Sequence, residues 1–394
     1  MLEIRRQQLF ELDELLGSPT VLSLFSGCGG LDLGFCNEGF ELKASYDHWK
    51  PATEVHRKNQ SLLGGEVYCR SLKLEDGEIQ LSDLPKVDVV LGGPPCQGFS
   101  FAGRQSLNDS RNRLYLDFIE IVKYLSPKCF LMENVRGIEA MALEDVKSSF
   151  SELNYQINVE RALATNFGVA QKRERIIIVG VRNDLKKTFV PPEESVGGLF
   201  LQSDTRSVID AIGDLPEPRQ VENERIIAQV YTDNHVYTKL SEMSQKFVRH
   251  IPNGGYYKDA PIETLPDRLI KIIEDPVRYR SPRLFPKSDP NKPAQTVPAD
   301  TNPSIGGVLA PDLIYENGTE VRPVEPKDYT VDGVYTAPSP SRRFTPREAA
   351  RLQSFPDEFL FDGAVSTQFK LIGNAVPVLM AQAFAREIRK QLFP

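Results

Sequence analysis

The sequence predicts an α/β protein: a doubly wound, mostly parallel sheet with a second, smaller and loop-rich domain. Short apolar segments alternate with segments of helical periodicity over roughly the first half of the chain. From about residue 186, prolines become frequent and the periodicity fades. The length of 394 residues agrees with two domains, since domains average roughly 150 residues.

Five apolar or alternating segments predict the strands of this sheet. In chain order they are PTVLSLFSGCGG, FELKASYD, VDVVLGG, CFLMENV and RIIIVGV. The first stops at small residues, as a buried parallel strand does when it ends in a glycine turn before a helix. Between the third and fourth, YLDFIEIVKYL has the periodicity of a helix.

The remaining elements suggest the domain boundaries. Proline-rich stretches such as VPPEE, DLPEPRQ and HIPNGG indicate irregular structure after the sheet. Order returns with RRFTPREAARLQSF, a helix with Pro346 in its first turn, and with the helical AQAFAREIRKQLF. We predict a main domain over 1–185, a second domain over 186–345, and a C-terminal segment over 346–394 that returns to the main domain.

Composition narrows the class of protein. With 40% hydrophobic and 26% charged residues, the chain has the composition of an ordinary globular protein. The N-terminal segment does not read as a signal peptide, and no apolar run approaches the roughly 18 residues of a membrane span, so we expect a cytoplasmic protein without a membrane partner. Five cysteines without a CxxC pair, and only four histidines, fit neither a disulfide framework nor a zinc site. We therefore predict free thiols and no metal.

The net charge and the local charge clusters point in opposite directions on nucleic-acid binding. The net charge of −7 and the pI near 5.4 argue mildly against it, because phosphate binding usually leaves a basic footprint. Basic residues nevertheless cluster in QKRER (171–175), RYRSPR (278–283) and SRRFTPREAAR (341–351). Each cluster, taken alone, is explained equally well by nucleic-acid binding and by an ordinary solvent-exposed surface.

The FSGCGG turn at 25–30 is a candidate cofactor site. It lies at the carboxyl end of the first strand, where doubly wound sheets bind nucleotides, although a plain tight turn explains the glycines equally well. Asp47 ends the second strand, near the position at which an acid takes ribose hydroxyls in such folds. The chain shows neither the pyrophosphate-binding GxGxxG nor the GxxxxGK[ST] cradle, so a nucleoside without phosphates, such as S-adenosylmethionine, fits better.

Cys96 is a candidate nucleophile. A free cysteine is usually a buried apolar filler. Here Pro94 and Pro95 fix the backbone before it, and the polar or small residues Gln97 and Ser100 follow it, so we expect the thiol at the carboxyl edge of the sheet. The next residues, GFSFAGRQSLNDSRNR, have the composition of a mobile, lid-like loop.

Two further segments end at the same predicted edge. Glu133 directly follows the apolar CFLM, so it is an unlikely candidate for a merely solvated surface carboxylate. Gln171, Arg173 and Arg175 stand two apart in QKRER, on one side of a strand. The arginines suit phosphate or oxyanion binding, or simple pairing with carboxylates.

Taken in order, VLSLFSGCGGLDLGF, GGPPCQGFS, MENVRG, QKRERIIIVG, RRFTPREAARLQSFPDEF and IGNAVPV resemble the motif set of the cytosine-C5 DNA methyltransferases. The resemblance covers residues 20–182 and 342–394. It implies the S-adenosylmethionine-dependent methyltransferase fold over the main domain. The segment between QKRER and RRFTPREAAR lies where that family carries its variable target-recognition domain.

The resemblance also implies the roles of the catalytic and DNA-binding residues. Cys96 would add to carbon 6 of a flipped-out cytosine, Glu133 would contact ring N3, and Arg175, with Arg173 nearby, would hold O2. Candidate DNA contacts are Gln97, Ser100, Arg104, Arg111, Gln171, Arg278, Arg280 and Arg283.

For the cofactor, S-adenosylmethionine, the resemblance implies Phe25 against the adenine, Asp47 on the ribose, and Asn374 with Ala375 near the methionine carboxylate. The other candidate cofactor residues are Ser26, Gly27, Gly29, Gly30, Leu31, His48, Ser71, Pro94 and Leu114. The sequence departs from the family in three places: Ser23 replaces a frequent aspartate, His48 a tryptophan, and Ser71 the acid that usually takes the adenine amino group.

The function implied is methylation of a short double-stranded DNA sequence by an enzyme of bacterial or phage type. It would be either the modification enzyme of a restriction system, with a restriction endonuclease as a functional rather than physical partner, or a solitary methylase. Two alternatives stay open: an RNA cytosine methyltransferase acting on transfer RNA, and a catalytically silent DNA-binding module. The intact Cys96, Glu133 and Arg175 argue against the silent module. A nicotinamide-dependent oxidoreductase is disfavoured by the missing pyrophosphate-binding motif.

Overall fold

The computed structural model describes residues 17–95, 114–193, 205–222, 233–275, 284–299, 308–316 and 320–393. These residues form two compact units. The first comprises the described residues within Met1–Gly168, Arg173–Ser203 and Ala375–Pro394. The second comprises those within Val169–Lys172 and Asp204–Asn374.

The described part of the chain contains strands in both units. They are β1 (Thr20–Leu24), β2 (Glu41–Asp47), β3 (Glu66–Cys69), β4 (Val89–Gly92), β5 (Cys129–Asn134), β6 (Tyr155–Leu163), β7 (Gln171–Lys172), β8 (Glu174–Arg182), β9 (Arg219–Val221), β10 (Val236–Thr238), β11 (Ala294–Gln295), β12 (Leu313–Glu316), β13 (Glu320–Pro323), β14 (Thr330–Val331) and β15 (Val334–Tyr335).

The α-helices are distributed along the same ranges. They are α1 (Gly30–Asn37), α2 (Lys50–Lys58), α3 (Gln60–Leu63), α4 (Leu114–Leu125), α5 (Ile138–Met141), α6 (Leu143–Glu152), α7 (Val208–Ile212), α8 (Glu242–Val248), α9 (Asp267–Glu274), α10 (Pro346–Leu352), α11 (Val365–Asn374) and α12 (Val378–Leu392). No helix in these ranges has the length and hydropathy needed to cross a membrane.

The first unit contains a seven-stranded sheet in the order β3-β2-β1-β4-β5-β8-β6. Strands β3, β2, β1, β4 and β5 pair in parallel, and β8 runs antiparallel between β5 and β6. The predicted α/β fold with a mostly parallel sheet is confirmed.

Two strands of this sheet escaped the sequence analysis, and both are edge strands. Strand β3 has no buried residue, and β6 is mostly half-buried, so neither carries the continuous apolar run of a central parallel strand. The five predicted strands are the central ones, β1, β2, β4, β5 and β8.

The core of the first unit lies around the sheet. Leu22, Leu24, Val90, Phe130 and Ile178 from four strands are buried in a single cluster. Phe118 of α4 and Phe150 of α6 join it, and their rings contact Phe130. Burial of this apolar surface is the main stabilising contribution to such a unit.

Strand pairing brings several chain positions to one edge of the sheet. In the parallel part, Leu24 pairs with Tyr46 and with Gly92, and Gly92 pairs with Met132. In the antiparallel part, Asn134 pairs with Ile176. The residues that follow β1, β2 and β4, the end of β5 and the start of β8 therefore share the edge at which parallel sheets bind ligands.

The second unit has a separate core and several buried polar contacts. One of its apolar clusters contains Phe247, Ile251, Tyr257, Leu269 and Leu309. Helix α10 begins with a capping box, in which Thr345 Oγ1 accepts from the Glu348 backbone and Glu348 accepts from the Thr345 backbone. Arg342 donates two hydrogen bonds of 2.7 Å to the two carboxylate oxygens of Glu348.

Replacing Glu348 with glutamine should lower the free energy of unfolding by about 3 kcal/mol, because it leaves the guanidinium of Arg342 buried without its counter-charge. Burial acts to raise the pKa of Glu348, but the charge and hydrogen bonds of Arg342 outweigh it and lower that pKa. The ionic contribution is therefore present above the unfolded pKa of about 4.3 and is lost as pH falls through the folded pKa. The melting temperatures of the wild type and Glu348→Gln should differ most between about pH 5 and 7 and converge in stronger acid. A difference in melting temperature that does not change with pH would contradict the ionic origin.

Candidate active site

The first part of the site is the FSGCGG turn between β1 and α1. Three of its residues have left-handed backbone angles: Phe25 with φ 55°, Gly27 with φ 56° and Gly29 with φ 96°. The Ser26 backbone N–H donates to Tyr46 of β2 at 3.1 Å, which attaches the turn to the neighbouring strand. Among the described residues, a Cβ atom at Gly27 would meet nothing within 4 Å, so this part of the structure leaves open space beside the turn.

Asp47 fixes this turn from the end of β2. Its Oδ2 accepts from the Gly27 backbone N–H at 2.9 Å, and its Oδ1 accepts from the Trp49 backbone N–H at 2.8 Å. The side chain is only slightly exposed, and the neighbouring His48 side chain is largely exposed. The carboxylate is therefore held by two backbone donors at the sheet edge, with lone pairs left over for a ligand.

The second part of the site is an ion pair between β5 and β8. Arg175 Nε lies 2.7 Å from Glu133 Oε1, and the two side chains are 15% and 12% exposed. A Cβ atom at Gly93 would lie 3.2 Å from Glu133 Oε2, so the glycine after β4 leaves room for the carboxylate. A charge pair that is mostly shielded from water but still reachable suits the recognition of a polar ring edge.

Asn134 connects this pair to the segment that precedes Cys96. Its Nδ2 donates to the Pro94 carbonyl at 3.2 Å, and its Oδ1 accepts from the Val135 backbone N–H at 2.8 Å. Pro94 is thus fixed against the end of β5, two residues before Cys96.

Arg173 lies beside the pair and is 1% exposed. Burial, and then repulsion by Arg175, lower the pKa of its guanidinium well below the usual value, and attraction to Glu133 partly offsets them. Its carbonyl accepts from the Ala164 backbone N–H at 2.8 Å, which anchors the start of β8.

Several predicted site residues lie outside the described residues, and their roles stay predictions. They are Cys96, Gln97, Ser100, Arg104, Arg111, Arg278, Arg280 and Arg283.

Other predicted residues are described but have surroundings that the sequence did not indicate. Gln171 is fully buried in the second unit, where its amide bonds the backbone of Val297 and Leu352, so its side chain is not presented to DNA in this structure. Ser71 donates through its hydroxyl to Asp76 and through its backbone to Glu78.

Three cofactor candidates remain to be placed. Leu114 begins α4, Asn374 is exposed at the end of α11, and Ala375 is buried directly after it. Their contacts with a cofactor stay predictions.

Sequence reasoning missed a buried polar cluster behind the turn. Ser23 Oγ donates to Asp32 Oδ1 at 2.5 Å, and His56 Nε2 lies 2.9 Å from Asp32 Oδ2. All three side chains are at most 1% exposed. The available signal was a charged residue, Asp32, inside the apolar and glycine-rich GGLDLGF.

The described ranges contain no group of three or more His, Cys, Asp or Glu side chains arranged to hold a metal ion. The polar groups at the sheet edge are carboxylates, guanidinium groups and backbone amides.

Comparisons with known proteins identify the family of the chain. Residues 20–390 match the family described as C-5 cytosine-specific DNA methylase. The type II methyltransferase M.DdeI of Desulfomicrobium norvegicum is 30% identical, over 93% of this chain and 88% of the relative. The type II methyltransferase M1.HphI of Haemophilus parahaemolyticus is 32% identical, over 95% and 87%.

A solved structure gives the same fold. The Dnmt2 methyltransferase of S. pombe superimposes with a TM-score of 0.61 and 16% identity, covering 95% of this chain and 100% of that one. With the family match extending over both described units, the chain belongs to the C-5 cytosine-specific DNA methylases and is a DNA cytosine-C5 methyltransferase.

Proposed function

We propose that the protein uses S-adenosylmethionine to methylate carbon 5 of a flipped-out cytosine in one short double-stranded DNA sequence, through a covalent bond from Cys96 to carbon 6. The observation that carries the proposal is the Glu133–Arg175 pair of 2.7 Å, next to the segment that leads to Cys96. The type II methyltransferases among the relatives support a role as the modification enzyme of a restriction-modification system, acting on DNA in the cytoplasm of a bacterium or an infected cell.

The turn after β1 fits the cofactor. When bound, S-adenosylmethionine supplies an electrophilic methyl group on a sulfonium sulfur. Phe25 offers a ring for the adenine, the Asp47 carboxylate can accept from ribose hydroxyls, and the open space at Gly27 admits the ligand close to the backbone. No phosphate-binding motif competes with this assignment.

The base chemistry needs a nucleophile because carbon 5 of cytosine is itself unreactive. The Cys96 thiolate forms a bond to carbon 6, and the displaced π electrons make carbon 5 enamine-like. Glu133 holds a proton at ring N3, and Arg175 donates to O2, which together stabilise the charge that this addition creates. After methylation, carbon 5 loses its proton to a base, and the returning electrons break the carbon–sulfur bond.

Access to carbon 6 requires that the cytosine leave the base stack, at a cost of a few kcal/mol. Contacts to the phosphates hold the DNA in place, whereas side chains that reach base edges choose the sequence. We assign the phosphate contacts to Arg104, Arg111, Arg278, Arg280 and Arg283, and contacts near the flipped base to Gln97 and Ser100.

The proposal is tested by expressing the protein in a host without cytosine methylation and sequencing the genome for 5-methylcytosine. We expect methylation confined to one short motif. Methylation of transfer RNA without methylation of DNA would favour the RNA alternative. Binding of DNA with no methylation of either nucleic acid would favour the silent module.

Replacing Glu133 with glutamine should lower kcat by about 100-fold or more, since a neutral amide stabilises a proton at N3 poorly. The side chain has nearly the same shape, so we expect the KM for S-adenosylmethionine to change less than threefold. Steady-state methylation of a DNA duplex carrying the motif measures both constants. The role assigned to Glu133 would be wrong if kcat stayed within threefold of the wild type.

A further inference from the structure

The buried cluster of Ser23, Asp32 and His56 is not used by the mechanism above. Its members come from three elements: Ser23 from β1, Asp32 from the first turn of α1, and His56 from α2. A carboxylate shielded from water is costly unless its oxygens are hydrogen-bonded. Here Ser23 and His56 each satisfy one oxygen of Asp32.

The hydrogen bonds of the cluster converge on one carboxylate. Ser23 donates its hydroxyl proton to Asp32 Oδ1, and His56 Nε2 forms a hydrogen bond with Asp32 Oδ2. Among the described residues, His56 Nδ1 has no hydrogen-bond partner, so the ring is held through Nε2. Asp32 is therefore the shared partner of side chains from β1 and α2.

This cluster joins the two ends of the turn whose Gly27 backbone is held by Asp47. Ser23 lies two residues before Phe25, and Asp32 lies two residues after Gly30, so their bond of 2.5 Å closes the chain across the FSGCGG turn. The His56 ring packs directly beneath the turn, because a Cβ atom at Gly29 would lie 3.1 Å from its Cδ2. A larger residue at Gly29, or a shifted ring at His56, would displace the turn.

We propose that Asp32 is a positioning residue for the cofactor, holding the turn through Ser23 and His56. The inference rests on the proposed use of S-adenosylmethionine. In this chain Asp32 supplies the carboxylate from the helix, and Ser23 is its hydrogen-bond donor from the strand.

The first test replaces Asp32 with asparagine in the full chain. The dissociation constant for S-adenosylhomocysteine, measured by isothermal titration calorimetry, should rise about tenfold, the loss expected when a hydrogen-bonded charge is removed. The KM for S-adenosylmethionine should rise by a similar factor, while kcat and the KM for DNA stay within about threefold. A purely structural effect would instead lower the active fraction, and therefore kcat, without changing these affinities.

Because Asp32→Asn could fail to fold, a milder pair of variants repeats the test at His56. His56→Gln retains an N–H donor for Asp32, whereas His56→Leu removes it at similar volume. We expect His56→Leu to weaken S-adenosylhomocysteine binding about tenfold and His56→Gln to stay within about threefold of the wild type. Glu348→Gln is the matched control, since it removes a buried charge in the second unit and should leave this binding unchanged.

The outcomes separate the inference from the proposed function. If the wild type binds S-adenosylhomocysteine, and Asp32→Asn and His56→Leu bind it equally well while melting earlier, Asp32 has no positioning role. Equal weakening by His56→Gln and His56→Leu would also overturn the inference. If the wild type itself binds neither S-adenosylmethionine nor S-adenosylhomocysteine, the proposed function fails, and the inference fails with it.

Discussion

Replacing Cys96 with alanine is expected to abolish DNA methylation, with a loss in kcat beyond about 1,000-fold, because the covalent route to an activated carbon 5 disappears. Binding of cofactor and DNA should persist, since the turn held by Asp47 and the arginines that we propose to contact DNA are unchanged. Methylation of the motif-bearing duplex, together with calorimetric cofactor binding, measures the two effects separately.

The covalent intermediate itself can be trapped. In DNA with 5-fluorocytosine at the target position, elimination needs departure of the fluorine as a cation, which does not occur, so the Cys96–carbon 6 bond should persist. Wild-type protein with S-adenosylmethionine should then migrate with the DNA in a denaturing gel, and Cys96→Ala should not. Cys36→Ser, which changes a different cysteine, is the control and should be trapped like the wild type. Trapping of Cys96→Ala would assign the nucleophile to another residue.

The second large effect is expected from Lys287→Met in the second unit. The Lys287 side chain is fully buried, its Nζ lies 2.6 Å from Asp312 Oδ2, and it donates to Ser341 at 2.9 Å. Burial lowers its pKa, although Asp312 acts in the opposite direction. Removing the ammonium leaves the Asp312 carboxylate buried without its counter-charge, which should cost about 3–5 kcal/mol.

Lys292 offers a matched control, since its pair with Asp289 has a similar distance of 2.8 Å but its side chain is 69% exposed. Lys292→Met should cost less than about 1 kcal/mol. Urea unfolding of the full chain, followed by circular dichroism, compares the two variants. If both variants lost the same free energy of unfolding, the buried Lys287–Asp312 pair would stabilise the second unit no more than the exposed Lys292–Asp289 pair does.

Local patterns explain how much of the fold could be predicted. The central strands β1, β2, β4, β5 and β8 are buried along most of their length, so each appears as a compact apolar segment. Strands β3 and β6 lie at the sheet edges, where partial exposure removes that signal. In the second unit, strands of two to four residues are too short for any periodicity to develop.

The sequence by itself determined the fold class, the family and the identity of the candidate nucleophile, because these depend on residue types in order along the chain. The sequence placed Glu133 and Arg175 at the ends of predicted elements, but it did not predict that the two side chains are in contact. Their contact depends on the antiparallel register of β5 and β8, which is set by pairing between distant segments.

Only the tertiary structure decided the supporting contacts of the site. Asp47 bonds the backbone of Gly27, and Asp32 draws Ser23 and His56 together, although these residues are separated by up to 33 positions. The physical reason is that a buried charge is tolerated only where partners from several elements converge on it. Such convergence is a property of packing in three dimensions and has no periodic signature in the chain.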